Sequence, residues 1–275
     1  MRIVRQPAVA GRFYPERAPE LVRILDDLLE DARRHTAPAV STPKALIVPH
    51  AGYVYSGPTA ARGYALLEPS RGAIERVVLL GPAHYVAFTG LALAEADAFA
   101  TPLGEVRLDT GTAALLNGLP QVIDYGEAHA PEHSLEVQLP FIQRVLGDVE
   151  ILPLVVGDAT PEQVAEVLEA CWGGPETLVL ISSDLSHYLA YDVARERDAA
   201  TVQHILDCDW PLADRSACGA RGINGLLVVA PAHGLRPQLV DCRSSGDTAG
   251  DRARVVGYAS VSFAQPSGMG TAEVR

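Results

Sequence analysis

The stretch Ala45-Leu-Ile-Val-Pro49-His50-Ala-Gly52-Tyr53-Val-Tyr55-Ser-Gly57 carries an apolar, strand-forming run into a proline and a histidine in a loop bounded by glycines. A helical pattern from Thr59 to Leu67 follows. The same construction recurs twice. Val77-Val-Leu-Leu80 runs into Gly81-Pro-Ala-His84-Tyr85, and Thr177-Leu-Val-Leu-Ile181 runs into Ser182-Ser-Asp184-Leu-Ser-His187-Tyr188. Short apolar runs bounded by turn residues read as buried strands, and in open α/β sheets the loops leaving such strands gather at one edge. Three loops of this kind predict one shared site.

Around that frame, the composition is that of a folded globular protein. The 275 residues are enough for one large domain with a sizeable core, with two domains as the alternative. Hydrophobic residues make up 48% and charged residues 20%, too apolar a mixture for disorder. The net charge of -12 and pI near 5.1 argue against a general nucleic-acid or anionic-membrane partner. The sequence shows neither a basic-then-apolar leader nor an apolar stretch long enough to span a bilayer, so the expectation is a soluble, cytoplasmic protein. Cys171, Cys208, Cys218 and Cys242 form no C-x-x-C pair and read as buried thiols.

In chain order, Leu21, Ile24, Leu25, Leu28 and Leu29 make one apolar stripe of a helix over roughly Pro19 to Arg34, and Thr36 to Pro43 reads as a surface connection. Short strands are expected at Leu91–Ala94 and before Leu108, with a helix over Thr110–Leu116. The apolar positions from Ser134 to Leu146 fit a helix interrupted by Pro140. Ile151 to Val156 reads as a strand in which Pro153 argues against a central place. Thr160-Pro161-Glu162-Gln163 is a helix start with a capping threonine and a glutamine three residues on, and that helix stops at Gly173-Gly174. Further helices are expected within Val193–Leu206 and Cys218–Ala230. Two adjacent strands then lie near Pro237–Val240 and Val255–Phe263, with a flexible tail from Ala264.

His50 and His84 each offer an imidazole where a strand gives way to a loop, and Asp184, His187 and Asp247 add polar groups on loops entered from other strands. Two histidines and one carboxylate can hold Fe(II) on one face of an octahedron, and Zn(II) takes much the same ligands. Taken singly, each histidine also reads as a hydrogen-bonded loop residue and each aspartate as a turn or cap residue. His133 and Glu136, three apart at a helix start, read as capping or packing residues or as substrate contacts, and Tyr53 as a pocket or core residue.

The segments Pro7-Ala-Val-Ala-Gly11-Arg-Phe-Tyr-Pro15, Pro49-His50-Ala-Gly-Tyr53, Gly81-Pro-Ala-His84, Glu132-His133-Ser-Leu-Glu136-Val-Gln-Leu-Pro140, Ser182-Ser-Asp184-Leu-Ser-His187 and Ser244-Ser-Gly246-Asp247 together resemble the Memo family (mediator of ErbB2-driven cell motility). The resemblance covers nearly the whole chain to Phe263. It implies a single domain over residues 1–263, with three layers and a central, mostly parallel or mixed sheet flanked by helices, similar to class III extradiol dioxygenases.

By the same resemblance, His50 and His84 match metal ligands and Asp247 falls at the third, where the animal branch has a cysteine. His187 matches an acid/base histidine accompanied by Asp184. Tyr53, Tyr85, His133, Glu136 and Tyr188 are then candidates to line a substrate pocket. Fe(II) is the implied cofactor, with Zn(II) or copper as alternatives. The implied function is that of a metal-dependent oxidoreductase, against two other readings: a non-enzymatic module binding a peptide, metal or small molecule, and a metal-assisted hydrolase. An AMMECR1-like protein and a radical S-adenosylmethionine enzyme are the implied partners.

Overall fold

Successive residues of a strand point to opposite faces of its sheet, so an unbroken apolar run needs cover on both sides. The computed structural model, which describes residues 2–37 and 41–266, supplies that cover. The chain begins with β1 (Val4–Arg5), α1 (Ala18–His35), β2 (Ala45–Val48), α2 (Tyr53–Ala65) and β3 (Arg76–Pro82). There follow β4 (Leu91–Leu93), β5 (Ala98–Thr101), β6 (Gly104–Arg107), α3 (Thr110–Leu115), β7 (Val122–Asp124), α4 (Gly126–His129) and α5 (Leu139–Val145). The second half adds β8 (Glu150–Val156), α6 (Pro161–Ala170), β9 (Thr177–Ser182), β10 (His187–Leu189) and α7 (Tyr191–Leu206). It ends with α8 (Ala220–Val229), β11 (Arg236–Ser244) and β12 (Val255–Ala264).

Among the described residues nine strands form one mixed sheet, in the order β10-β12-β2-β9-β3-β8-β4-β7, with β11 also paired to β12. The four central strands β2, β9, β3 and β8 are mutually parallel, while β12 and β4 run antiparallel to their inner neighbours. Leu46, Val48, Leu79 and Leu180 face α1, α2 and α5 on one side, and Ile47, Val78, Leu80 and Ile181 face α6, α7 and α8 on the other. The result is a three-layer α/β domain. β1, β5 and β6 make a separate small sheet. Among the described residues no helix is long and apolar enough to cross a membrane.

Several elements depart from the sequence expectation. The helix expected from Thr59 starts at Tyr53, with Pro58 inside it. The backbone bond that Pro58 cannot donate would have gone to Val54, which is largely exposed, so water can serve that carbonyl instead. The helix expected from Ser134 starts at Leu139, because Pro140 fits the first helical turn, where its missing N–H is not needed.

β8 lies inside the sheet despite Pro153. Its pairing with β4 ends at Leu93–Leu154, and Ile151, which points the same way as Pro153, accepts a bond from the Asp109 amide on that side. Pro153 therefore faces a gap in the ladder, with no partner waiting for an N–H. The flexible tail expected from Ala264 is answered only at its start: Ala264 closes β12, and residues 267–275 lie outside the described residues.

Candidate metal centre

β9 lies between β2 and β3, with Val48 opposite Ser182 and Leu80 opposite Ile181, so the loops leaving these three strands emerge side by side. His50 follows the end of β2, His84 the end of β3, and Asp184 and His187 the end of β9. His133 reaches the same place from the segment between α4 and α5. One ligand nitrogen from each of His50, His84 and His133 lies within 4.8 Å of the other two. The rings of His84 and His133 stack at 4.6 Å, and His50 meets both edge-on, at 5.2 Å and 5.5 Å. His50 is buried, His133 partly so and His84 exposed, which leaves the cluster open on the His84 side.

Hydrogen bonds settle which nitrogens are free. Tyr64 donates its hydroxyl to Gln138 Oε1, which turns Gln138 Nε2 toward the Pro49 carbonyl and Ser182 Oγ. Ser182 in turn donates to the Ser134 carbonyl at 2.6 Å. With its one proton committed, Ser182 Oγ can only accept from His50 Nδ1 at 2.9 Å, which leaves the lone pair of His50 on Nε2. The Glu132 carboxylate accepts from His84 Nδ1 at 2.9 Å and from the His84 amide at 2.7 Å, so the free nitrogen of His84 is again Nε2. A carboxylate or hydroxyl behind each ligating imidazole is the usual means of orienting it toward a metal. His133 Nδ1 is buried without a hydrogen-bond partner among the described residues.

Burial favours the neutral ring at His50 and at His133. Burial pushes the His50 imidazole down to about 3, with His84 adding to the effect, and burial with His50 lowers His133 to about 4. Both offer lone pairs at physiological pH. For Glu132, burial alone raises the carboxyl, but the His84 side chain and the His84 and Ser134 amides outweigh it and hold it at about 2. An orphaned buried nitrogen, two tautomers fixed from behind and a permanent carboxylate fit a bound divalent cation, so His50, His84 and His133 can hold a metal ion.

The profile of the Memo-like protein family matches residues 5–262. The chain belongs to the Memo family. A MEMO1 family protein of Ignicoccus hospitalis is 37% identical over 288 residues, covering 96% of this chain and 100% of the relative. Proteins of the same description from Archaeoglobus fulgidus and Sulfolobus acidocaldarius are 37% and 35% identical, covering 94% and 95% of this chain and 99% of each relative.

In this Memo-family chain the structure brings together His50 and His84, as expected, but adds His133 as the third nitrogen, where the sequence reading had only a pocket residue. Asp247, expected as the third ligand, is placed differently. Its Oδ2 accepts from the Ser244 amide at 2.8 Å and the Ser244 hydroxyl at 3.0 Å, and its Oδ1 from the Tyr191 hydroxyl, so it caps the turn after β11 and stands outside the cluster. A carboxylate serving three local donors has little reason to leave them.

Two pocket candidates also prove structural. Glu136 is fully buried and accepts from Arg5, the Ala8 and Val9 amides and the Tyr14 hydroxyl, at 2.7 to 3.0 Å. It thereby latches the N-terminal segment beside the centre, where Phe13 packs on His133 at 4.7 Å. Tyr53 lies in the core against Phe141 and donates to the Val137 carbonyl. Tyr85 and Tyr188 are exposed, and Tyr85 stands edge-on to His133 at 5.7 Å.

Asp184 is buried and accepts the His50 amide at 2.8 Å, and burial raises its carboxyl. His187 is exposed on β10. Cys218, read from sequence as an ordinary buried thiol, is only partly buried, and its Sγ stands 3.3 Å from His50 Nε2. No local pattern marked it, because the contact joins residues 168 apart.

Proposed function

We propose that this Memo-family chain is a metal-dependent oxidoreductase acting on a small molecule at the His50, His84 and His133 centre. The observation that carries the reading is the trio of imidazole nitrogens within 4.8 Å, two of them oriented by buried acceptors. Fe(II) is the first choice of ion, and imidazole ligands also suit zinc and copper. A redox-active ion bound there would supply Lewis acidity and electron transfer between substrate and dioxygen.

The remaining roles belong to the chain's own side chains. Glu132 and Ser182 hold the ring protons at Nδ1 of His84 and His50, so that both Nε2 atoms stay aimed into the centre. Asp184 fixes the backbone at His50. His187 takes a proton from the substrate and returns it, a role an imidazole can fill when it reaches the reacting group. Tyr85 offers exposed aromatic surface beside His133, and Tyr188 beside His187.

One observation favours a second reading, metal-assisted hydrolysis. The three-imidazole set lacks the carboxylate of the two-histidine, one-carboxylate iron sites and matches the His₃ pattern that activates water on zinc.

Anaerobic titration with Fe(II) and Zn(II), followed by oxygen-uptake and ester-hydrolysis assays, separates these readings. The expected result is stoichiometric iron binding in the wild type and in Asp247→Ala, lost in His50→Ala, His84→Ala and His133→Ala, with uptake of oxygen stimulated by catechol-type substrates. Oxygen-independent turnover by the zinc form favours the hydrolase. Metal binding with neither activity leaves a binding protein, and absence of specific binding overturns the centre.

A further inference from the structure

We propose that Cys218 is a thiolate ligand of this metal centre, entering beside His50; the proposal rests on the reading of the centre given above. His50 Nδ1 is committed to Ser182, so the nitrogen that faces Cys218 Sγ at 3.3 Å is the one with the lone pair. His50 is only 1% exposed, and among the described residues the sulfur is the one hydrogen-bonding partner that its Nε2 has. Nitrogen and sulfur bound to one tetrahedral ion, at about 2.0 and 2.3 Å from it, stand about 3.5 Å apart. The observed pair is already near that spacing.

Burial and the neighbouring Asp184 carboxylate push the Cys218 thiol up, so without an ion the sulfur keeps its proton, while hydrogen bonds at the sulfur work the other way. The Asp184 amide donates to Sγ at 3.2 Å, and Cys218 immediately precedes Gly219, which caps the ten-residue helix α8. Amides and the positive end of a helix both stabilise a thiolate. The turn is held against the end of β9: the Gly219 amide donates to Ser183 Oγ, and a Cβ at Gly219 would meet Ser183 Cβ at 2.7 Å. Sγ of Cys218 reaches His50 and stands outside the three-imidazole cluster, so joint coordination with all three rings requires a shift of the sulfur or of the other rings.

The step balances simply. The thiol S–H breaks, the sulfur–metal bond forms, and one proton passes to solvent for each ion bound.

Co(II) titration of the full chain tests this by absorption and by proton release in weak buffer. The wild type is expected to develop a near-ultraviolet thiolate-to-cobalt charge-transfer band. Cys242→Ser keeps the band, whereas Cys218→Ser loses it, loses one released proton and binds Co(II) at least about tenfold more weakly. The wild-type band needs no variant to be read, and thermal unfolding checks that Cys218→Ser is folded. Cobalt bound through His50 without the band, or a band that persists in Cys218→Ser, overturns the thiolate and leaves the imidazole centre standing. Absence of binding, or binding indifferent to His50→Ala, overturns both.

Discussion

Glu132 shows how much of the site hangs on one side chain. Its two oxygens accept from His84 Nδ1 and from the amides of His84, His133 and Ser134, so a single carboxylate orients one imidazole and holds the segment that delivers another. Burial works against the charge, but these donors prevail and the carboxyl sits at about 2 rather than its ordinary 4.5. A carboxyl lowered on folding stabilises the fold fully above its unfolded value, and that contribution is lost as pH falls toward the folded one. Glu132→Gln is accordingly expected to destabilise the chain by about 2–3 kcal/mol near neutral pH, with less than half of the difference left at about pH 3. Urea unfolding of both proteins at the two pH values measures it. A difference that does not shrink on acidification would show that packing, not charge, is what the substitution removes.

At the level of elements, the junction of α7, β10 and β12 supports the third loop of the site. The Asp198 carboxylate, on α7, accepts the Ser186 amide at 3.0 Å, next to His187, and lies so close over Gly257 of β12 that a Cβ there would collide with it. Gly257→Ala is expected to destabilise the chain by about 1–3 kcal/mol, as overpacking in a filled interior does. A urea midpoint equal to that of the wild type would mean that Asp198 can swing away without loss. Other elements were open to reading from local chemistry. The helix start at Thr160 and Gln163 is realised as a full capping box, with Thr160 Oγ1 accepting the Gln163 amide and Gln163 Oε1 accepting the Thr160 amide. The interior place of β8 was not, because it depends on where the neighbouring strand β4 stops rather than on Pro153 itself.

Across the whole molecule, the centre joins loops from strands spread over the sheet with a segment from between two helices, so an ion there ties distant parts of the chain together. An ion that binds only the folded chain stabilises it by about 2.7 kcal/mol at a free concentration one hundred times Kd. For a chain of this size that is a rise of about 5 °C in the unfolding midpoint. Differential scanning calorimetry with Fe(II) under anaerobic conditions, or with Zn(II), is expected to show this rise in the wild type and not in His50→Ala or His84→Ala. A rise of equal size in those variants would place the binding elsewhere on a surface whose net charge of -12 attracts cations in general.

The sequence alone determined the α/β class, the strands β2, β3 and β9, and the segments after them that carry His50, His84, Asp184 and His187. It could do so because a strand buried on both faces needs an unbroken apolar run, and the polar residues that follow such a run are confined to its end. The tertiary structure alone decided who shares the site. It brought His133 to the imidazoles, kept Asp247 on Ser244 and Tyr191, spent Glu136 on the N-terminal latch, sank Tyr53 into the core and set Cys218 beside His50. The reason is physical: each outcome is a competition among hydrogen-bond and packing partners. Some of the winning partners are far away in sequence, 122 residues between Glu136 and Tyr14 and 168 between Cys218 and His50, and come within reach only once the strands are in register.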